Sequence, residues 1–247
     1  MVESRISAGS YDLNKWLFGG YEKDIITTIY GPAGSGKTNL CVLAAVSQAK
    51  KSNKVIFMDT EGGFSVDRFK QVAEENYESA LKNILLMKPT NFQEQKRDFN
   101  SLLKEISNDS QIGLIIVDGM TMLYRLELGD AYKEKDDLKI KIINKELANQ
   151  LRALAEISRK KNIPVIITNQ VYYDFVPKSD YEDMDFNKEK TANMVGGDLL
   201  KYWSKCLIEL QYKEGKRKAI LRKHRSLPEK ELMFVIINSG IKKRGLF

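Results

Sequence analysis

The chain has 247 residues, 43% of them hydrophobic and 30% charged, which is long enough for a substantial core and typical of a soluble globular protein. It contains no apolar run of about 18 residues, and its first segment, MVESRISAGS, has no apolar signal core, so neither a membrane span nor export is expected. One histidine and two cysteines exclude an ordinary zinc site and a disulfide framework. Cys41 and Cys206 lie in apolar segments, and we expect two reduced core thiols in a cytoplasmic protein.

The net charge of +7 is concentrated near the C-terminal end of the chain. Residues 201–247 contain 13 lysines and arginines against 4 acidic residues, so the remainder is close to neutral. A basic segment of this kind is typical of proteins that contact a polyanion, most often nucleic acid. A solvated basic face would give the same composition, and charge alone does not separate the two.

Apolar segments rich in β-branched residues alternate with amphipathic segments along most of the chain. In chain order, the pattern predicts a strand at 24–30, a helix at 37–51, a strand at 54–60, a helix at 67–75, a strand at 83–87, a helix at 91–107, a strand at 112–119, a helix at 138–161 and a strand at 163–170. Near-continuous apolar strands that alternate with helices indicate a parallel sheet covered on both faces.

The pattern changes after this last strand. Residues 205–213 and 216–224 are predicted to form a hairpin, and residues 231–240 contain a further strand. We therefore expect a single domain over residues 1–247. Its predicted fold is α/β, with a doubly wound, mostly parallel sheet and antiparallel C-terminal strands.

The segment GPAGSGKT, residues 31–38, matches the phosphate-loop pattern G-x-x-x-x-G-K-[ST] at every position. It follows a predicted strand and opens a predicted helix, as the motif requires, although a glycine-rich turn that binds nothing is the alternative. The glycines let backbone N–H groups turn toward phosphate oxygens, and the helix N-terminus adds partial positive charge. The lysine would reach the β- and γ-phosphates, and the threonine hydroxyl would bind Mg²⁺. The expected nucleotide contacts are Gly31, Pro32, Ala33, Gly34, Ser35, Gly36, Lys37, Thr38 and Asn39.

Two carboxylates follow predicted strands, where they are expected at the ligand-binding edge of the sheet. Asp118 ends the segment LIIVD, where a carboxylate would hold Mg²⁺ through its water shell; the alternative is an aspartate that caps the next helix. Glu61 lies just past the strand at 54–60. A carboxylate there could orient and deprotonate an attacking water, or it is a solvated loop residue.

Four segments together resemble the ATPase core of the RecA/RadA recombinase family: GPAGSGKT, FMDTEGGF, LIIVDGMTMLY and VIITNQV. They occur in the family's order and spacing, and GSYDLNKWLFGGYEKDIITTIYG and GGDLLKYWSKCLIEL extend the resemblance to about residues 5–241. Within the family, the chain is most similar to the short archaeal RadB branch. The resemblance implies a RecA-like P-loop ATPase with ATP and Mg²⁺ as cofactors. It also implies that the N-terminal helical domain and the polymerisation linker of RadA are absent.

The resemblance assigns roles to three residues outside the phosphate loop. Glu61 matches the family's catalytic glutamate. Gln170 matches the glutamine that senses the γ-phosphate and couples it to a DNA-facing loop, and a neutral amide suits such a switch; a polar strand end is the alternative. Arg68, in FSVDRF, matches an arginine that stacks on adenine in the RadA group, although a helix-surface arginine gives the same pattern.

The segment RKHRS, residues 222–226, resembles the K-x-R-x-S stretch of KaiC-like relatives. In those proteins the two basic residues reach the γ-phosphate of a neighbouring subunit. The resemblance implies that Lys223 and Arg225 do so here if subunits assemble, supplying positive charge to the transition state. A simple basic strand or a nucleic-acid patch is the alternative.

Two long predicted loops, 125–138 and 171–194, occupy the places of the family's DNA-binding loops, and such loops are usually functional or disordered. Residues 172–192 contain six acidic residues and three lysines, and negative charge repels phosphate. Aromatic residues in this loop could stack on bases, pack against a protein partner or fold the loop down: Tyr172, Tyr173, Phe175, Tyr181 and Phe186. The basic C-terminal segment is one candidate for contact with the DNA backbone. Four lysines near the start of a predicted helix are further candidates: Lys133, Lys135, Lys139 and Lys141. The alternative is that these lysines only form a solvated helix start.

The leading hypothesis is an accessory protein of DNA repair and homologous recombination, located in the cytoplasm at the nucleoid. It would bind Mg·ATP tightly, hydrolyse it feebly without DNA stimulation, and bind DNA independently of sequence and sensitively to salt. The family implies a RadA-type recombinase and a junction-processing nuclease as partners, and leaves self-association open. The first alternative is a DNA-stimulated strand-exchange recombinase, which would need a polymerisation element and a basic second loop. The second alternative is a KaiC-like signalling ATPase that does not act on DNA.

Overall fold

The computed structural model describes residues 4–172, 193–194 and 196–245. Within these ranges the strands are β1 (Arg5–Ile6), β2 (Tyr21–Glu22), β3 (Ile26–Gly31), β4 (Lys54–Asp59), β5 (Ile84–Met87), β6 (Ile112–Asp118), β7 (Val165–Tyr172), β8 (Asn193–Met194), β9 (Ser204–Lys213), β10 (Lys216–Lys223), β11 (Lys230–Ile237) and β12 (Gly240–Lys243). The helices are α1 (Tyr11–Trp16), α2 (Lys37–Ala49), α3 (Val66–Ala73), α4 (Tyr77–Leu81), α5 (Phe92–Asn108), α6 (Met122–Glu134), α7 (Asp137–Lys161) and α8 (Gly197–Trp203), with a 3-10 turn at Glu74–Asn76.

Nine strands of the described ranges form one continuous path in the order β12-β11-β10-β9-β3-β7-β6-β4-β5. The pairs from β9 through β3 to β5 are parallel, and the pairs from β9 to β12 are antiparallel. Strand β8 pairs antiparallel with β7, and β1 and β2 form a separate two-stranded ribbon. The predicted fold class, a mostly parallel α/β sheet with antiparallel C-terminal strands, is confirmed.

Two hydrophobic clusters lie on opposite faces of the sheet, and β6 contributes to both. Its side chains alternate, so that Leu114 and Ile116 join the cluster that contains α2, whereas Ile115 and Val117 join the cluster that contains α5 and α7. A strand buried on both faces has no polar side. The continuous apolar run that predicted a buried strand therefore reflects helices packed on both faces of the sheet.

The antiparallel extension, strands β9 to β12, packs against helix α2. Phe234 of β11 belongs to the same hydrophobic cluster as α2. A Cβ atom placed on Gly240, at the start of β12, would lie 3.0 Å from the side chain of Leu43 in α2. Cys41 and Cys206, predicted as core residues, are both buried in this cluster. The C-terminal strands thus contribute to the packing that positions the helix after the phosphate loop.

The prediction of a loop at 125–138 is wrong, because most of this segment belongs to α6. Tyr124 and Ala131 of α6 are buried in the cluster that α6 shares with α7. This burial outweighs the cost of Gly129 within the helix, which is about 1 kcal/mol relative to alanine. The break between the two helices is short: Lys135 adopts a left-handed φ of 54°, and α7 begins two residues later.

Other differences from the prediction are smaller. The helix predicted at 67–75 ends at Ala73, and the short elements α1, α4, α8 and β12 have no separate counterpart in the prediction, because so few residues carry too little periodic signal.

Of the loop predicted at 171–194, the structure describes only the ends, which pair as β7 and β8. Residues 173–192 and the side chain of Tyr172 lie outside the described residues, so the proposals for the five loop aromatics are not addressed. No helix in the described ranges is long and apolar enough to cross a membrane.

Replacing Phe234 by alanine should destabilise the protein by about 3–5 kcal/mol, because the change removes a buried aromatic ring from the cluster that joins the extension to α2. Denaturant unfolding followed by circular dichroism measures the loss, and one cooperative transition is expected. Tyr132→Ala, at a side chain that is 60% exposed, is the control and should change the unfolding free energy by less than about 0.5 kcal/mol. A separate early transition for the extension would contradict its place in the core.

Candidate functional site

The phosphate loop lies between β3 and α2, as the motif requires. Gly34 and Gly36 have φ values of 73° and 108°, in the left-handed region that favours glycine. Gly36 is also the N-cap of α2, and no side chain caps the backbone N–H groups of the first turn. Those N–H groups and the helix dipole therefore form an anion-binding surface at the start of a 13-residue helix.

Lys37 is folded over this loop and is only 6% exposed. Its ammonium donates hydrogen bonds to the carbonyl oxygens of Gly31, at 3.0 Å, and Pro32, at 3.1 Å. Burial lowers the pKa of Lys37 from its ordinary value, and the carboxylates of Glu61 and Asp118 act in the opposite direction. The loop thus holds a cation close to the two carboxylates that the sequence singled out.

Asp118 is 1% exposed and accepts two hydrogen bonds from threonine hydroxyls. Thr38 donates to one carboxylate oxygen at 2.7 Å, and Thr168 of β7 donates to the other at 2.6 Å. The carboxylate therefore faces the phosphate loop. The alternative interpretation, in which Asp118 caps the next helix, would have required it to face that helix. Burial raises the pKa of Asp118; the two hydroxyls lower it, and the nearby Glu61 and Asp59 carboxylates add to the rise.

The oxygen atoms of Thr38 and Asp118 fit a magnesium site. Mg²⁺ prefers hard oxygen ligands, and a hydroxyl beside a carboxylate supplies them. A Cβ atom on Gly63 would lie 3.1 Å from the Thr38 hydroxyl and 3.6 Å from the Asp118 carboxylate, so a side chain there would crowd the pair. Asp59 holds this glycine in place by accepting hydrogen bonds from the backbone N–H groups of Gly63 and Phe64.

Glu61 and Gln170 meet at the end of the sheet. The Gln170 side-chain amide donates to Glu61 Oε2 at 3.0 Å, while Glu61 Oε1 is buried without a hydrogen-bond partner among the described residues. This approach depends on Gly119, because a Cβ atom there would lie 2.6 Å from Glu61 Cγ and 2.4 Å from the Thr60 hydroxyl. Sequence reasoning missed Gly119, and its position directly after the strand-end aspartate is the signal that could have identified it.

A cavity of about 380 Å³ connects these groups. It is lined by Ala33, Gly34, Gly36, Lys37, Thr38, Asn39, Glu61, Gln170, Arg217 and Ile236. The cavity thus unites most of the predicted phosphate-loop contacts with the predicted catalytic pair. Arg217 and Ile236 come from the antiparallel extension and were not expected, although the alternation of β10 places Arg217 on the same face as buried Ala219.

Arg68 lies beside the start of α2 and is held by several acceptors. Its guanidinium donates to the Asn39 side chain at 2.8 Å and to the carbonyl oxygens of Asn238, at 2.9 Å, and Gly240, at 3.2 Å. These bonds fix the guanidinium between α2 and the turn from β11 to β12. Stacking of Arg68 on adenine stays a prediction.

Lys223 and Arg225 do not line the cavity of their own chain. Lys223 donates to the backbone carbonyl of Ser204 at 2.9 Å. Arg225 forms a two-pronged pair with Asp24, at 2.8 and 2.9 Å, and a further bond to Glu22 at 2.7 Å. A role on a neighbouring subunit would require both side chains to leave these contacts, and that role stays a prediction.

The fold and this arrangement define the class of protein: a P-loop protein with the RecA-like recombinase fold. The sequence profile of the Rad51 family matches residues 3–244, and the chain belongs to that family. It is 40% identical over 232 residues to the DNA repair and recombination protein RadB of Methanocaldococcus jannaschii, covering 93% of this chain and 98% of the relative. It is 37% identical over 233 residues to RadB of Methanobrevibacter smithii, covering 93% and 92%.

Among solved structures, a crystal structure of the RadB recombinase superposes with a TM-score of 0.73 at 34% identity. The match covers 97% of this chain and 100% of that one. The resemblance to the RecA/RadA family, and to its RadB branch, is therefore confirmed by sequence and by structure.

Replacing Asp118 by asparagine should stabilise the protein at neutral pH when nucleotide and Mg²⁺ are withheld. Burial raises the pKa of Asp118 above its value in the unfolded chain, so the native state favours the protonated acid. This contribution to stability is present at low pH and is lost as the pH rises through the folded pKa. The advantage of the asparagine variant should therefore shrink as the pH falls. Thermal unfolding from neutral to acidic pH measures it.

The matched control for this prediction is Glu75→Gln, the same carboxylate-to-amide change at an exposed position, which should leave stability nearly unchanged at every pH. Asp118→Asn should also lose Mg²⁺-dependent nucleotide binding. An asparagine variant that is less stable than the parent at neutral pH would contradict the cost assigned to the buried charge.

Proposed function

We propose that the chain is an ATP-binding accessory protein of DNA repair and homologous recombination, in which bound nucleotide acts as a switch more than as a fuel. The observation that carries this proposal is that one cavity brings Lys37, Thr38, Glu61 and Gln170 together. Membership of the Rad51 family and similarity to RadB proteins support the biological setting. We also infer one RecA-like ATPase domain over residues 1–247, supported by the continuous sheet.

The residues of the cavity, together with Asp118, which accepts a hydrogen bond from Thr38, divide the binding of Mg·ATP among them. Backbone N–H groups of residues 33–38 and the Lys37 ammonium bind the phosphates, and Thr38 and Asp118 hold Mg²⁺. Bound magnesium neutralises negative charge that develops on the phosphoryl oxygens. Glu61 orients the attacking water and accepts its proton at the buried Oε1 atom, while Gln170 senses whether a γ-phosphate is present.

Hydrolysis by the isolated chain should be slow. Glu61 shares a hydrogen bond with Gln170, which competes with its use as a base. Lys223 and Arg225, which the family would direct at a neighbouring subunit, are bound to groups of their own chain outside the cavity. An arginine finger raises phosphoryl transfer by roughly 10³–10⁵ in related P-loop enzymes, so an assembly that supplied these groups would be the faster enzyme.

DNA contact is proposed at the basic end of the chain. Lys242, Lys243 and Arg244 are exposed at the end of β12, and no acidic side chain within the described ranges forms an ion pair with them. Among the helix lysines, Lys133 and Lys139 are weaker candidates, because they already pair with acidic residues of the same helical region. Contact of this kind would be independent of sequence and sensitive to salt.

The proposed partners are a RadA-type recombinase and a junction-processing nuclease, with a second copy of the chain as a further candidate. Kinship with the Rad51 family supports this assignment, and the proposed location is the cytoplasm at the nucleoid. Self-association would give Lys223 and Arg225 a site at which to act in trans.

Steady-state ATP turnover tests the switch proposal directly. The wild-type chain should bind Mg·ATP yet hydrolyse it close to background, with less than about a two-fold change on adding single-stranded DNA. Glu61→Gln should lower any residual turnover by at least about ten-fold while binding is retained, because a general base contributes about 10²–10⁴ to rate. Lys37→Ala, which removes the cation over the loop, is the control that should lose binding itself.

Two outcomes, one from ATP turnover and one from a DNA-binding measurement at low salt, would favour other functions. A stimulation of ten-fold or more by DNA, abolished in Glu61→Gln, would identify a strand-exchange ATPase. Failure to bind DNA at low salt, with normal nucleotide binding, would favour a signalling ATPase.

Reversing the charge of Lys242 and Lys243 together should weaken single-stranded DNA binding and reduce its salt dependence. Each lost phosphate contact lowers the slope of log affinity against log salt by about 0.7. Fluorescence anisotropy with a labelled oligonucleotide at several salt concentrations measures both quantities. The matched control reverses Lys50 and Lys51, an exposed pair at the far end of α2, and an equal effect there would leave the proposed contact without support.

A further inference from the structure

One wall of the cavity is formed by the antiparallel extension, which contributes Arg217 of β10 and Ile236 of β11. Arg217 lies on this wall, across the antiparallel ladder from Tyr212 on one side and Phe234 on the other. It belongs to no recognised motif of the phosphate loop or of the strand ends. Its placement comes from the C-terminal strands alone.

Arg217 is held against the phosphate loop by two kinds of contact. Its Nε and one terminal nitrogen donate to the carbonyl oxygen of Gly34, at 3.3 and 3.2 Å. Its guanidinium carbon lies 4.4 Å from the centre of the Tyr212 ring, which is within range of a cation–π contact. A Cβ atom on Gly34 would lie 3.9 Å from that ring, so tyrosine, arginine and loop are mutually in contact.

The charge of Arg217 is not neutralised within the described part of the chain. Two other basic residues of β10 form ion pairs: Lys218 with Glu231, and Arg222 with Glu209. Arg217 has no carboxylate partner there and bonds to a neutral carbonyl instead. A guanidinium has five N–H donors, and the bonds to Gly34 use two of them. Donors and positive charge are thus available at a cavity wall beside the phosphate loop.

We propose that Arg217 is a nucleotide-binding residue that contacts the β- and γ-phosphates of the bound nucleotide from within the same chain. The inference rests on the proposed function, because it assumes that the cavity holds Mg·ATP. A guanidinium and a phosphate are both ionised and can form two parallel hydrogen bonds, whereas the Gly34 carbonyl is neutral, so the phosphate competes well for the donors. Tyr212 keeps the guanidinium plane oriented while its hydrogen bonds are exchanged.

This assignment has a consequence for nucleotide choice. A contact that includes the γ-phosphate favours ATP over ADP, and it supplies from one chain part of the positive charge that other P-loop enzymes take from a neighbour. Lysine should not replace Arg217, because it lacks both the planar fork and the stacking on the tyrosine ring.

Isothermal titration of Mg·ATP, Mg·ADP and AMP tests the proposal. Arg217→Ala should weaken ATP binding by at least about ten-fold, ADP binding by clearly less, and AMP binding hardly at all. Arg217→Lys should recover only part of the ATP affinity, and Tyr212→Leu should give an intermediate loss. The matched control is Lys218→Ala, one residue along β10 and paired with Glu231, which should change each affinity by less than about two-fold.

The possible results separate this inference from the function on which it rests. If the wild-type chain binds no Mg·ATP, the proposed function fails and the role of Arg217 fails with it. If wild type binds ATP and Arg217→Ala binds it equally well, the inference alone is overturned. Equal weakening for ATP, ADP and AMP would also overturn it, because Arg217 would then only brace the loop. Thermal unfolding of each variant confirms folding, and if Arg217→Ala does not fold, Arg217→Lys and Tyr212→Leu decide the question.

Discussion

A hydrogen bond from the Thr38 hydroxyl to the buried Asp118 carboxylate joins the first turn of α2 to the end of β6, across 80 residues of sequence. It forms only because β7 lies between β3 and β6 in the sheet and contributes Thr168 to the second carboxylate oxygen. The phosphate loop and the Asp118 carboxylate are thereby brought together by strand order. Glycines at the adjoining strand ends leave the room that this convergence needs.

The side chains that converge at this edge lower the stability of the folded protein. An ammonium and a carboxylate are both buried at the centre of the site, and burial disfavours the charged form of each. Under the proposed function this cost has a purpose, because phosphate and magnesium are charged ligands that neutral side chains would not hold. Around them the sheet is apolar on both faces, and the two hydrophobic clusters supply the stability that the polar edge lacks. The buried charges of Lys37 and Asp118, which cost stability, thus lie at the edge of the sheet that carries the phosphate loop.

Much of the fold and of the candidate site could be predicted from the sequence, and the parts that could not be predicted have physical reasons. The strand, phosphate loop and helix are local in sequence, so residues 31–38 carry their own context. The parallel sheet follows from continuous apolar strands. Helix α6 could not be predicted, because its burial against α7 is a tertiary effect that overrides a glycine in the middle of the helix. The salt bridge of Arg225 and the place of Arg217 depend on contacts 201 and 183 residues distant, which no local pattern encodes.

The separation of Gly34 and Arg217 along the sequence also affects the order in which the site forms during synthesis. The two residues are 183 positions apart, yet their contact forms one wall of the cavity. During synthesis on the ribosome the phosphate loop emerges early, whereas β9 and β10 emerge near the end of the chain. Strand β3 lacks its neighbour β9 until then, so the central sheet has an open edge throughout most of translation. The nascent chain therefore completes the cavity beside the phosphate loop only in the final stage of its synthesis, and a product that terminates before β9 would expose that edge to aggregation.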